Sequence, residues 1–516
     1  MRDTRRGPAG TEVTIGVDIG TTAVKAVAVD RHGHIRARTR VPHALHICDP
    51  DSFEHDAAAA WHEGPRRAVA RLGPVADLAA GLGISACVPS LVALGDHLQP
   101  LGPGLLYGDW RGRAAVAAWP PAGPLDVREG EAFLHWAVKH WPGARAYWPA
   151  QALAAVALGG EPVIDAFTAM SYFPVFDGLR WDPAELSRIG ITEEQLPVVA
   201  TEVGAPTGHI GAPPAHQPGG ANGQPGGANA QPGGANAQPG GADAQPGGAD
   251  GRVPGHGQGG SGARARTVLA AGGVDVMTEQ ITAGVSQPGE AHVMCGTTLL
   301  TWAVMPDTGD VPGLWRFPHL RPGLCLLGGP SNAGGLFLGW ARRLLGRGWP
   351  RSGPDHGGLH PDRVPLWIPY VRGERIPLHD TSLRASLHGL DLTHDAAALQ
   401  RAAYEATGFV ARRILDMAGC APARIIATGG GIRDRAWMQA LADCNAVPVV
   451  RAAVPEGAAL GMAWMARMAA GLESSLDDAA RWFRPGRTVY PDGQWARACA
   501  GRYERFCALT ADVRAI

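Results

Sequence analysis

The sequence predicts an α/β fold spread over two large domains, and three observations carry that expectation. The chain has 516 residues, more than one hydrophobic core usually serves, and at roughly 100–200 residues per domain it divides into two or three. Segments with strand signals alternate with segments with helix signals along its length. A Gly-Thr-Thr element stands near the N-terminus, at 20–22, and recurs at 296–298, as expected of two related halves.

Taken in order, Val13–Val17 and Val24–Val29 are β-rich runs separated by Asp18–Ala23, which predicts a hairpin whose turn carries Gly20 and two threonines. From Gln217 the unit Gln-Pro-Gly-Gly-Ala recurs at 224, 231, 238 and 245. A seven-residue period this rich in Gly and Pro cannot offset the entropy of ordering. A disordered surface insertion is therefore expected over about 204–264, set aside from the fold. Leu399, Ala402, Ala406, Phe409, Val410, Ile414 and Met417 keep the spacing of an amphipathic helix, with Gly419 placed to cap it. Arg424–Thr428 reads as a short strand ending in Gly429-Gly430-Gly431. Asp434 then serves as N-cap for a helix over Arg435–Cys444. Val447–Val450 is a further strand and Ala458–Ala470 a further helix.

Composition narrows the ligands. The formal net charge is -1 and there is no long basic run, so neither nucleic acid nor an anionic membrane is expected as a partner. No stretch approaches the roughly 18 apolar residues of a membrane span, and Met1-Arg2-Asp3-Thr4-Arg5-Arg6 leads into a polar segment, so a cytoplasmic location is expected. The eight cysteines (48, 87, 295, 325, 420, 444, 499 and 507) form no CxxC pair, which predicts reduced, mostly structural thiols rather than a zinc site or a disulfide framework. Lysine occurs only at 25 and 139, so the abundance of arginine reflects coding bias and carries little functional information.

The first hairpin holds the clearest chemistry. An acidic residue before Gly-Thr-Thr lets backbone N–H groups and hydroxyls converge on phosphate oxygens while the carboxylate of Asp18 holds a hydrated Mg²⁺. Alone, the same residues would also suit an ordinary hairpin. Cys295-Gly296-Thr297-Thr298, after the apolar run His292-Val293-Met294, repeats the element, as two halves clamping one nucleotide from opposite sides would require.

Five ordered motifs then carry a resemblance over about 13–470. They are Val17-Asp18-Ile19-Gly20-Thr21-Thr22-x-x-Lys25, Gly272-Gly273-Val274-Asp275, Gly296-Thr297-Thr298, Pro369-Tyr370-x-x-Gly373-Glu374-Arg375-x-Pro377, and Thr428-Gly429-Gly430-Gly431. Together they resemble the FGGY carbohydrate kinases. The resemblance implies two ribonuclease-H-like domains of the actin-like ATPase superfamily, closing on ATP and substrate in the cleft between them. The expected division is a substrate-binding half over 10–288, a nucleotide-binding half over 289–485 and a C-terminal tail over 486–516.

Carried over residue by residue, the resemblance makes Asp275 the general base for the acceptor hydroxyl and places Asp18 at the metal. Gly20, Thr21, Thr22 and Lys25 would face the phosphates, with Gly296, Thr297 and Thr298 opposing them. Gly335, Gly430 and Asp434 would border the adenine and ribose. Ser90, Asp109 and Asp275 would touch the substrate. The implied cofactors are ATP and Mg²⁺, and the implied partner is a small sugar, sugar acid or polyol. The oligomeric state stays open, a homodimer included. A plainer reading makes Asp275 a helix cap and Lys25 a strand-edge lysine. Gly373-Glu374-Arg375 is read as an ion-paired structural turn. A rival reading from another class is a catalytically weak paralogue that binds sugar and nucleotide as a sensor.

The chain also departs from the family. Pentulose kinases of the family usually carry Gln-Met-His after Ile-Ser of the early strand, whereas this chain reads Ile84-Ser85-Ala86-Cys87-Val88-Pro89-Ser90. Losing matched donors and acceptors changes which hydroxyls are recognised. After Asp275, Val276 and Met277 make that wall more apolar. Neither xylulose nor glycerol is assigned as substrate, and the insertion, peripheral to the cleft, is expected to leave activity intact.

Overall fold

In the computed structural model, residues 12–116, 128–202, 204–210, 267–319, 321–346 and 358–511 are described; the Gln-Pro-Gly-Gly-Ala repeats lie outside them. Strand β1 (Val13–Ile19) is buried at every position, the pattern of a strand covered on both faces. It pairs antiparallel with β2 (Ala23–Asp30), with Asp18 opposite Lys25 and Ile19 opposite Val24. The predicted hairpin is thus present, with a shorter turn: Asp18 lies in the strand and only residues 20–22 make the bend. Edge strand β3 (Ile35–Pro42) alternates half-buried and exposed positions, its arginines pointing to solvent. β4 (Ala79–Ala86) runs parallel to β1. β5 (Pro206–His209) pairs with β6 (Val268–Ala270), and β6 and β7 (Gly273–Val274) both run parallel to β4. The order is β5-β6-β4-β1-β2-β3. The insertion expected from 204 therefore begins too early, because 206–209 close one edge of this sheet by backbone pairing.

The second sheet is built from β8 (Ala291–Cys295), β9 (Leu299–Pro306), β10 (Trp315–Pro318), β11 (Leu324–Ser331), β12 (Ile425–Thr428), β13 (Val449–Ala452) and β14 (Pro485–Val489), in the order β10-β11-β9-β8-β12-β13-β14. Its centre repeats the first: β8 and β9 form a hairpin, and β12 lies parallel to β8 as β4 does to β1. The two Gly-Thr-Thr elements consequently occupy the same topological place, between the first and second strands of each sheet.

Among the helices, α1 spans Glu129–His140, α2 Asp275–Ala283, α3 Gly335–Leu345, α4 Ala396–Met417, α5 Arg435–Asn445, α6 Gly457–Ala469 and α7 Gly493–Ala511. Helix α4 starts on Asp395, whose side chain accepts from Ala398 N at 2.9 Å, and Gly419 follows its end with φ of 65°. Asp434 caps α5 by accepting from Ala436 N and Trp437 N, as its place after the glycine turn predicts.

Two helices cross between the sheets. Helix α6, which follows the second sheet's strands in sequence, packs on the first sheet, where Ala459, Met462 and Ala463 share a core with Val27 and Val29. Helix α2 follows the first sheet's strands and shares a core with Met294, Trp302 and Ile426 of the second. Glycines let these elements meet: a Cβ on Gly16 would stand 1.7 Å from Ala459 O, and one on Gly461 1.7 Å from Thr278 O. Of the expected tail over 486–516, the described residues, up to 511, contribute most of β14 and all of α7. Helix α7 buries Trp495, Cys499, Tyr503 and Phe506 and places Arg502 on Glu405, with Nε to Oε2 at 2.7 Å.

Candidate active site

A cavity of about 490 Å³ runs between the two sheets, walled by both Gly-Thr-Thr turns, the N-terminus of α2 and the glycine turn after β12. Asp18, Gly20, Thr21, Thr22 and Lys25 line it from the first half, and Gly296, Thr297, Thr298, Gly335 and Gly430 from the second, with Asp275 also in the wall. Asp434 is the cap of α5 next to this wall rather than part of it, and its free oxygen accepts from Tyr404 Oη at 2.6 Å.

The first turn is held from behind. Trp61 Nε1 donates to His55 Nδ1 at 3.0 Å, which leaves Nε2 as the donor to Thr21 O at 2.8 Å. Burial first, then the neighbouring His43, pushes His55 down to about 3, so the ring stays neutral. Thr21 Oγ1 meets Tyr107 Oη at 2.9 Å inside the cavity. Lys25 Nζ donates to Asp18 Oδ2 at 2.9 Å, and that carboxylate holds the ammonium charged despite its partial burial.

The second turn is locked onto α3. Gly335 N donates to Gly296 O and Leu336 N to Thr297 O, both at 2.9 Å, so the turn's carbonyls satisfy the first N–H groups of the helix. A Cβ on Gly335 would stand 2.6 Å from Gly296 O, which is why glycine opens this helix.

Asp275 occupies the first position of α2, accepting from Val276 N at 2.8 Å. Burial, reinforced by the Asp18 charge, raises its carboxyl to about 7, against a lowering contribution from a Cys87 hydrogen bond. Cys87 is itself held as a thiol by burial and by the Asp275 charge, so it is a donor. One turn on, Glu279 shares the cavity; burial raises it to about 7 while a Thr428 hydrogen bond and Lys25 oppose the rise. Its Oε1 has no hydrogen-bond partner, and Gly457 leaves the room it occupies, since a Cβ there would stand 2.9 Å from that oxygen.

Two predicted substrate contacts lie elsewhere. Ser90 is fully buried outside the cavity wall: its hydroxyl accepts from Ala150 N at 3.1 Å and its carbonyl accepts from the Tyr172 hydroxyl. Asp109 accepts from Phe53 N at 2.8 Å and from the Arg111 guanidinium, a structural clamp that also reaches Glu54.

The turn at 373–375 differs from its predicted ion-paired form. Glu374 accepts from Ser331 Oγ at 2.6 Å and from Asn332 N at 2.9 Å beneath the end of β11, whereas the Arg375 side chain leaves the turn for the cavity. There Nη2 lies 3.7 Å from Glu129 Oε2, and the guanidinium carbon lies 5.5 Å from the Tyr107 ring centre and 5.2 Å from that of Trp315. Sequence reasoning missed Arg375, Glu129, Tyr107 and Glu279 as cavity residues. Only Glu279 carried a local signal, its i+4 spacing from Asp275 on a helix.

Similarity to known proteins agrees with this geometry. Residues 13–126 match the model described as "FGGY family of carbohydrate kinases, N-terminal domain", and 291–470 match the corresponding C-terminal domain. A glycerol kinase of Aromatoleum aromaticum is 26% identical over 92% of this chain and 94% of its own length. The chain spans about half of two xylulose kinases it also matches, 49% of that from Bacillus subtilis at 27% identity and 44% of that from Lactococcus lactis at 29%. In fold it is similar to a gluconate kinase of Lactobacillus acidophilus (TM-score 0.73, 20% identity, 98% of each chain) and to a Plasmodium falciparum glycerol kinase crystallised with ADP (TM-score 0.69, 15% identity, 97% and 98%). No described helix is long and apolar enough to cross a membrane.

Proposed function

The chain belongs to the FGGY family of carbohydrate kinases, and from that premise we propose that it transfers the γ-phosphoryl group of ATP to a hydroxyl of a sugar, sugar acid or polyol. The observation that carries this reading is the position of Asp275: a half-buried carboxyl lining a cavity walled by two topologically equivalent Gly-Thr-Thr turns.

Phosphoryl transfer asks for positioning and charge stabilisation more than for covalent participation. In this reading Asp275 orients the acceptor hydroxyl and takes its proton as the oxygen attacks phosphorus. A carboxyl raised to about 7 suits that task, because it is basic enough to accept the proton and still substantially ionised near neutral pH. Lys25, released from Asp18, meets phosphate oxygens, while the backbone and hydroxyls of Thr21, Thr22, Thr297 and Thr298 hold the same group from two sides. Closure of the halves removes water that would otherwise compete with the acceptor.

A magnesium ion suits the residues present. Among the described residues no three His, Cys, Asp or Glu side chains form a metal cage, but Mg²⁺ usually keeps several waters and takes one or two carboxylates plus phosphate. In this reading Asp18, with the Glu279 carboxyl in the same cavity, would hold such a hydrated ion, which would neutralise phosphate charge.

The test is ADP release by purified protein from MgATP in the presence of a panel of ketoses, sugar acids and alditols. Acceptor-dependent ADP is expected. Sugar binding without turnover for any panel member would favour a sensor over a kinase.

A further inference from the structure

Arg375 and Glu129 come from opposite halves and meet at the end of the cavity beyond Asp275. Both side chains are nearly inaccessible, at 3% and 4% exposure, yet each keeps one polar atom without a partner, Arg375 Nε and Glu129 Oε1. Buried polar groups of this kind are costly unless something completes them. The Nε1 of Trp315, which flanks the guanidinium, is a second unpartnered donor in the same wall.

The charges of the cavity are unevenly placed. Lys25, and Arg40 opposite it across the β2–β3 ladder, stand by the first Gly-Thr-Thr turn, Arg343 projects from α3, and Arg433 follows the glycine turn. Cations therefore gather where the phosphates of a nucleotide would lie. At the other end Arg375 is the single cation among the described lining residues, and it already faces Glu129, with Asp275 as a second carboxyl. Beside it the lining mixes apolar side chains, Val88, Pro89, Phe167, Met170 and Phe173, with uncharged polar ones, the Thr21 and Tyr107 hydroxyls among them.

Resting on the kinase reading above, we infer that the Arg375–Glu129 pair recognises the acceptor and selects a neutral polyhydroxylated compound against a sugar acid. A hydroxyl can accept from Arg375 Nε while another donates to Glu129 Oε1, completing both groups without adding charge. A carboxylate would enter a site whose one lining guanidinium is already matched, with Arg372 behind it answered by Asp109 and Glu129, and would face two carboxyls. Repulsion of this sort discriminates more sharply than an added attraction.

The experiment compares alditols with aldonates of equal chain length, by calorimetric binding in the presence of a non-hydrolysable ATP analogue and by kcat/KM with MgATP. Wild type is expected to bind the alditol on the order of tenfold or more tightly, the scale of one hydrogen bond to a charged group. The isosteric Glu129→Gln leaves Arg375 unmatched and is expected to narrow or reverse that ratio, with ATP binding unchanged. Arg375→Gln is expected to raise the KM for the alditol far more than it lowers kcat. Tighter binding of aldonates by wild type, binding of neither class at 10 mM or so, or an unchanged ratio in Glu129→Gln would each overturn the inference. Failure of the kinase reading is separate: it appears as absent turnover, whichever class binds.

Discussion

Asp18 and Lys25 face each other across the first hairpin, paired in register, with 2.9 Å between Oδ2 and Nζ at the cavity wall. The pair keeps the ammonium charged in a half-buried place and positions it beside the Gly-Thr-Thr turn without engaging the turn's own donors.

Replacing Lys25 should therefore remove a phosphate contact rather than a structural one. Lys25→Ala is expected to lower kcat on the order of 10²-fold, the usual loss for one preorganised donor at a transferring group, with acceptor binding retained. Steady-state kinetics with ATP and acceptor varied separately checks this; a loss confined to acceptor KM would contradict it.

The Asp275 carboxyl is raised to about 7 by burial and by Asp18, so kcat/KM should climb as pH rises through that region, where the base becomes ionised. The Cys87 hydrogen bond lowers this carboxyl, and removing it in Cys87→Ala should shift the acid limb to higher pH. A limb that stays in place would show that the thiol has no part in setting the base.

Much of this site was legible in the sequence, and the reason is locality. The first hairpin, the Gly419 and Asp434 caps and the glycine turn are each decided by residues within a few positions of one another. Arg375 escaped because its cavity position depends on packing between halves: the motif containing it identifies a turn, while its partners Glu129 and Tyr107 lie far away in sequence. Ser90 looked available beside a changed substrate strand, but its hydroxyl is consumed by Ala150 N. Strand 206–209 was hidden by adjoining low-complexity sequence, although its pairing with 268–270 is ordinary. The place of α6 on the first sheet and against α2 follows from close approaches at Gly16 and Gly461 that no local pattern announces.

Those approaches give a stability prediction. Gly461→Ala would force a methyl against Thr278 O and separate α6 from α2, at a cost on the order of 3 kcal/mol. Gly501→Ala is the control, an open position on α7 where the substitution should stabilise by about 1 kcal/mol. Denaturant titration distinguishes them; equal effects would mean that the helix contact is looser than described.

Glu279 also contributes a pH-dependent term. Its carboxyl is raised in the folded protein to about 7, so the fold binds its proton more tightly than the unfolded chain, and stability falls as pH rises toward and through that value. Without ligands, Glu279→Gln should melt at a higher temperature than wild type at pH 8, and the gap should close progressively as pH falls from about 7 to about 4. A gap that widens on acidification would contradict the burial cost assigned to this group.

The role of Asp275 in phosphoryl transfer is read from acceptor-dependent ADP formation in wild type and Asp275→Asn at saturating MgATP, with ATP affinity measured on both. The expected result is turnover in wild type, a loss on the order of 10²–10⁴-fold in the variant, and equal ATP affinity. Turnover in Asp275→Asn within a few-fold of wild type would remove Asp275 from the reaction and contradict its role as the base.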